Sequence, residues 1–508
     1  MSDDKLVIVW ESNHQDGDGY GIYATIIDAS TGMNITREFR VNNYSDRLQQ
    51  HPEVCALSED SFAVTWSSSN QDPDGTMGIY MSIFSATTAK NITAESRVND
   101  FINYSQSSSK ICALSNNKFV IVWQSQGQNL DSSYGIYAKV FDSMTGVNLT
   151  GEFQINNPLN YDQKSPSICA LAKDKFAVTW SSENQDPDGT YGVYATVVNA
   201  TTGFNITSEF RANYYTDNGQ ASSSICSLSE DILAITWYGD EIGPSTDFDI
   251  FARVFNASTG ENITQEFRVN HFGNGKQWFP SICSLSDDFF IISWGSEGQD
   301  PDGSYGVYAT VFSATMGTNI TAEFRVNNYT DDAQRMPSIA SLSEDRVAFA
   351  WASEGQDPDG SYGVYSRVFF FNSAPEITNP GPYHGQSEVD LNPTLQLNVS
   401  DANGQDLTVR FYDNTSGTPS ALGFETVSGG ESEVVSLTWS DLDYNTEYKW
   451  YVLVSDGLVS TTSAQFSFTT KEEGIIIPSF LPMIFLPLTA MTVFIAGIYI
   501  SRKKTKDA

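Results

Sequence analysis

Over the first 372 residues, short apolar runs alternate with polar, turn-forming clusters, and the whole pattern returns at a nearly fixed interval. Trp10, Trp66, Trp123, Trp180, Trp237, Trp294 and Trp351 are 56 residues apart once and 57 apart thereafter, so internal repetition is the first fact the fold must satisfy. In the copy that begins at Pro280 the runs are SICSL, FIISW, YGVYATVF and ITAEFRV. Such runs, rich in Val, Ile, Phe, Tyr and Thr and bounded by Gly, Asn, Asp and Pro, read as strands. Neither of the two best-matching copies contains a helical stretch. Four antiparallel strands per unit, seven times over, predict an all-β chain whose residues 1–372 form a seven-bladed β-propeller of four-stranded blades. The small residues of SICSL suit the crowded centre of a ring, and EFRV its rim.

The two ends of the repeat are incomplete in complementary ways. SDDKLVIVW at the start matches SEDSFAVTW from Ser58, so the first copy lacks its inner run, and the last stops after YGVYSRVFFF without an outer one. This predicts a ring closed by one blade shared between the chain ends. It also predicts a reading frame truncated at its start, with a signal peptide and further strands upstream. From Ala374 a Pro- and Gly-rich stretch leads into LNPTLQLNVS, LTVRFYDN, VVSLTWSDL, EYKWYVLVSDG and AQFSFTT, which predict a β-sandwich over 373–470 with Trp439 and Trp450 in its core. The segment 471–501 carries no charge between Ile475 and Ser501, long enough as a helix for a bilayer core of ~30 Å. Glu472 and Glu473 precede it and Arg502, Lys503, Lys504 and Lys506 follow. That asymmetry predicts a single-pass transmembrane helix, a short cytoplasmic tail at 502–508 and an extracellular ectodomain.

Several of these segments resemble known families. The QDPDGTYGVYATVV type of unit is similar to tandem repeats of large secreted prokaryotic surface proteins, and the seven-copy plan resembles integrin α-subunit propellers. Leu442, Thr446 and Tyr448 in LDYNTEY resemble the tyrosine corner of fibronectin type III domains. These resemblances imply a propeller held off the membrane by a stalk.

The net charge of −35, with 62 acidic against 27 basic residues, argues against nucleic acid as a partner. Acidic pairs recur between the second and third strands: Asp16 and Asp18, Asp72 and Asp74, Asp186 and Asp188, Asp300 and Asp302, Asp357 and Asp359. Asp-Pro-Asp-Gly is a good turn without any ion, while two carboxylates beside a Gly also suit calcium; both readings stand, and Ca2+ is the one cofactor expected. Cys55, Cys112, Cys169, Cys226 and Cys283 occupy one position of successive inner strands and are expected to be free, buried thiols. Of thirteen Asn-x-Ser/Thr sequons, Asn34, Asn91, Asn148, Asn205, Asn262 and Asn319 recur on the hairpin between third and outer strands, expected to be exposed and glycosylated. Strand alternation puts these hairpins and the acidic loops on opposite faces. On the acidic face, HFGNGKQWF places His271, Lys276, Trp278 and Phe279 where other copies have small polar residues, a candidate anchor for a ligand; packing of Trp278 on the neighbouring blade is the alternative. No catalytic motif is present. The resulting expectation is a non-enzymatic, cell-surface binding or adhesion protein that recognises a glycan or protein; the alternatives are a propeller glycosidase or a passive coat component.

Overall fold

The computed structural model describes residues 5–157, 160–172, 174–216, 218–240, 247–343, 346–371, 374–401, 405–428, 432–457 and 459–474. The expected transmembrane segment from Ile475 and the basic tail lie outside them. Among the described residues every regular element is a strand, and no helix is long and apolar enough to cross a membrane. The chain divides into two compact units, Met1–Ser373 and Ala374–Ala508.

The first unit is a series of seven antiparallel sheets, one per repeat, arranged as propeller blades. The five central sheets have four strands in chain order; in the fourth these are Gln163–Leu171, Lys175–Glu183, Tyr191–Asn199 and Phe210–Arg211. The first sheet has three strands and begins at the second position, Lys5–Asn13. The seventh also has three and ends with Gly363–Phe370. Six apolar clusters join consecutive sheets from first to seventh. At their centres Trp66, Trp123, Trp180, Trp237 and Trp294 are fully buried, each replacing a large apolar area in water by close packing.

The sheets are also stapled by polar groups. In blades two to six the Glu that opens the outer run reaches back to a backbone N–H of the preceding blade: Glu95 accepts from Asn43 N at 2.6 Å, Glu152 from Asp100 N at 2.7 Å, Glu209 from Asn157 N, Glu266 from Tyr214 N and Glu323 from His271 N, the last two at 2.6 Å. Near the start of each inner strand of blades two to six the register shifts by a bulge. There His51, Ser108, Ser165, Ser222 and Phe279 take left-handed backbone angles, which bends the strand locally. The five cysteines are free, with Cys169 and Cys226 buried and the others half-buried.

The second unit is a β-sandwich. One sheet joins Glu376–Gly381, Thr394–Ser400 and Glu433–Thr438, the other is built around Leu407–Asp413, Glu447–Ser455 and Phe466–Thr470. A single core with Trp439 and Trp450 fills the space between them. The Tyr448 hydroxyl accepts the backbone N–H of Asp443 at 2.9 Å, and Leu442 is buried beside it.

Candidate functional site

The ends of each blade are distinct. At one end the loop between second and third strands is tied to the blade-to-blade connection, as where Thr190 Oγ1 donates to Asn218 O at 2.9 Å and Ser304 Oγ to Asp332 O at 2.6 Å. At the other end the first-to-second turn meets the third-to-outer hairpin, as where Ala86 N donates to Asp60 O at 2.7 Å. Acidic loops and recurrent sequons therefore occupy opposite faces, as strand alternation requires.

Within the acidic loops the two aspartates have different partners. Asp72 is buried; one oxygen accepts from the Tyr80 hydroxyl at 2.7 Å, the other from Asn99 Nδ2 at 2.9 Å, with Arg97 3.7 Å away. Asp186 and Asp300 repeat this with Tyr194 and Asn213, and with Tyr308 and Asn327. Asp357 accepts from Tyr365 at 2.8 Å, and Asp16 from Asn42 at 3.4 Å. Burial and the adjoining carboxylate push the Tyr80, Tyr194 and Tyr308 hydroxyls far up. The second aspartates turn outward and close their own loops: Asp74 accepts from Thr76 N, Asp188 from Thr190 N, Asp302 from Ser304 N and Asp359 from Ser361 N, all at 2.9 to 3.0 Å. Asp18 accepts from Arg47 N at 3.1 Å. These are turn and staple contacts. Among the described residues no group of three or more His, Cys, Asp or Glu side chains is placed to hold a metal ion.

Blade five departs from this plan, and a cluster forms there. Residues 243–246 of its GPSTD loop lie outside the described residues. At the repeat position of Gly192 stands Asp249, buried, accepting from Arg268 and from Asn270 at 2.7 Å each. Along the border with blade six, Trp278 stacks on Tyr238 with ring centroids 5.4 Å apart and an 18° interplanar angle. It meets Phe248 edge-on at 5.4 Å and Phe279 at 5.7 Å. The Lys276 ammonium lies 5.6 Å from the Trp278 ring centre. All four rings remain half-exposed. Two buried polar atoms in this patch have no partner, the Trp278 indole nitrogen and one carboxylate oxygen of Asp240. Asp240 is the cross-strand neighbour of Phe248, and burial raises its carboxyl above the ordinary range.

Of the expected ligand residues, Lys276, Trp278 and Phe279 thus come together, and Trp278 also packs on the neighbouring blade. His271 is exposed and is engaged through its backbone N–H, by Glu323. Tyr238, Phe248 and Asp240 were not anticipated. The readable signal was departure from the repeat: the Tyr238 position holds Ser181 in blade four and Gly295 in blade six.

No protein-family model matches the chain, and comparison with curated proteins finds no match. Among solved structures, it is similar to a protein of unknown function from Dyadobacter fermentans (9% identity, 63% of this chain and 94% of that one, TM-score 0.43). It is likewise similar to the α-L-arabinofuranosidase Arb93A of Fusarium graminearum (12%, 65% and 94%, 0.42) and to an α-L-arabinanase of Penicillium chrysogenum (14%, 63% and 93%, 0.42). At these values no activity is carried over to this chain. They do correct one expectation: the absence of a recognised catalytic motif was read as the absence of catalysis, yet glycoside-cleaving proteins stand among the similar structures. A propeller hosts binding and chemistry alike, and a site assembled from separate blades leaves no contiguous motif.

Proposed function

We propose that the first unit recognises a glycan through the half-exposed aromatic cluster between blades five and six. The observation that carries this is the stack of Trp278, Tyr238, Phe248 and Phe279 beside two buried polar atoms that lack partners. Aromatic faces take the C–H faces of sugars, and unpartnered polar groups await hydroxyls, because a buried donor or acceptor left alone costs about 1–3 kcal/mol. The exposed tyrosines of the same end, Tyr104, Tyr161, Tyr214 and Tyr215, extend the surface with rings that are apolar at one end and polar at the other.

A second reading, glycoside cleavage, is favoured by Asp240. Burial raises its carboxyl above the ordinary range, and a carboxyl shifted in that direction suits the donation of a proton to a leaving glycosidic oxygen. The charge asymmetry around residues 475–501 supports display outside the cell on a single anchor, and the Tyr448 hydrogen bond supports a fibronectin type III type of stalk.

The test is a glycan screen with the ectodomain, followed by Trp278→Ala and Tyr238→Ala in binding assays and Asp240→Asn in assays for released reducing ends. At least tenfold weaker binding by the aromatic variants, with circular dichroism unchanged, is the expected result. Glycan binding unaffected by both variants would remove the site. Turnover lost in Asp240→Asn while binding is kept would select the enzyme.

A further inference from the structure

The opposite end of the blades carries a second periodic feature. In blades one to six the hairpin between third and outer strands reads Asn-Ile-Thr or Asn-Leu-Thr. The fold accounts for the threonine. Its hydroxyl accepts a backbone N–H of the third strand in every copy, from Ile26 to Thr36 through Val311 to Thr321, always at 3.0 to 3.1 Å.

The fold does not account for the asparagine in the same way. Asn91 donates to Ser82 Oγ, Asn205 to the Ile155 carbonyl of the preceding blade, and Asn148, Asn262 and Asn319 to the carbonyl two residues on. All six are exposed; each makes the same backbone bridge to the third strand, from Asn34 opposite Ile27 to Asn319 opposite Phe312, but their side-chain amides share no one partner. The residue between them is equally unexplained: Ile35, Ile92, Leu149, Ile206, Ile263 and Ile320 are 42% to 51% exposed. Met33, Val147, Phe204 and Met316 of the same hairpins are more exposed still. Aliphatic side chains repeated on one end of a soluble unit mark a surface that something covers.

We infer that Asn34, Asn91, Asn148, Asn205, Asn262 and Asn319 carry N-linked glycans and that these sugars cover the apolar side chains of their own hairpins. The occupant follows from adjacency, since a sugar on each asparagine begins one residue from the exposed Ile or Leu. In the linking step the asparagine amide nitrogen bonds to the anomeric carbon of a phosphate-activated sugar and gives up one proton. The anomeric C–O bond breaks, and the phosphate leaves with the electron pair. The donor and transferase come from the exporting cell, so the inference rests on export but not on the ligand proposed for the other face.

The experiment uses the full chain made in an exporting, N-glycosylating host, with peptide mass mapping before and after enzymatic removal of the sugars. Sugar mass is expected on the six peptides. Removal should raise binding of an apolar fluorescent dye several-fold, and Asn→Gln at all six positions should do the same. Thr93→Ser, which keeps both sequon and hydroxyl, should stay modified at Asn91; Thr93→Val should lose the sugar and lower the melting temperature, whereas Asn91→Gln should lose the sugar alone. Unmodified peptides from a host that modifies a control protein would overturn the inference. Unchanged dye binding after sugar removal would overturn the covering role.

Discussion

The clearest lesson at the scale of single residues is a carboxylate that changes place without changing its job. In blade four Asp186 enters from the loop, and a Cβ on Gly192 would lie 2.5 Å from its Oδ1. In blade five the corresponding position is Asp249, which accepts from Asn270 as Asp186 accepts from Asn213. The space holds one carboxylate, from either strand or loop. Asp186→Ala should therefore cost about 1–3 kcal/mol in urea unfolding, because the Tyr194 and Asn213 groups lose their acceptor. Asp188→Ala, at an exposed turn, should cost about 1 kcal/mol or less. Gly192→Asp alone should destabilise, and the double variant Asp186→Gly with Gly192→Asp should recover most of the loss; additive losses in that cycle would refute the shared site.

Strand by strand, burial decides how ionisable groups behave. Burial pushes the Cys55 thiol up to about 11 and those of Cys169 and Cys283 to about 12. Only thiolates react rapidly, so a thiol reagent at pH 8 should label the folded chain slowly and all five cysteines once it is unfolded. The stapling glutamates Glu209 and Glu266 are raised, first by burial. A raised folded-state carboxyl binds more protons than the unfolded chain between the ordinary value and its own, so its contribution to stability falls as pH rises through that window. Glu209→Gln keeps an acceptor for Asn157 N and stays neutral. It should flatten the decline in melting temperature above the ordinary carboxylate range; an unaltered pH profile would show that the shift is not thermodynamically felt.

For the molecule as a whole, stability in the first unit rests on six successive interfaces, each centred on a buried Trp or Phe, reinforced by glutamate staples. Neither needs an ion, and in blades two, four and six the first aspartate of the acidic loop, Asp72, Asp186 or Asp300, already has protein partners for both oxygens; in blade one an oxygen of Asp16 is buried without a partner. Calcium, expected from the paired carboxylates, has its direct check in a chelator: the melting curve should be the same with and without it. A shift of several degrees restored by added calcium would bring the second aspartates, Asp74, Asp188, Asp302 and Asp359, back as ligands.

The repeat and its four strands were legible in the sequence because β-structure of this kind is encoded locally, in short apolar runs and turn clusters that recur every 57 residues. Face assignment followed too, since strand direction alternates by necessity. What only the tertiary structure decided lies between copies. A pair such as Asp16 and Asp18 looks like one feature along the chain, but one side chain is turned inward to Asn42 and the other to the connection at Arg47. Trp278 was conspicuous by itself, whereas Tyr238, Phe248 and Asp240 gain meaning only when the bulged inner strand of blade six is laid against blade five. Nothing in linear spacing encodes that contact, because it depends on how two sheets twist and pack rather than on the order of residues within either.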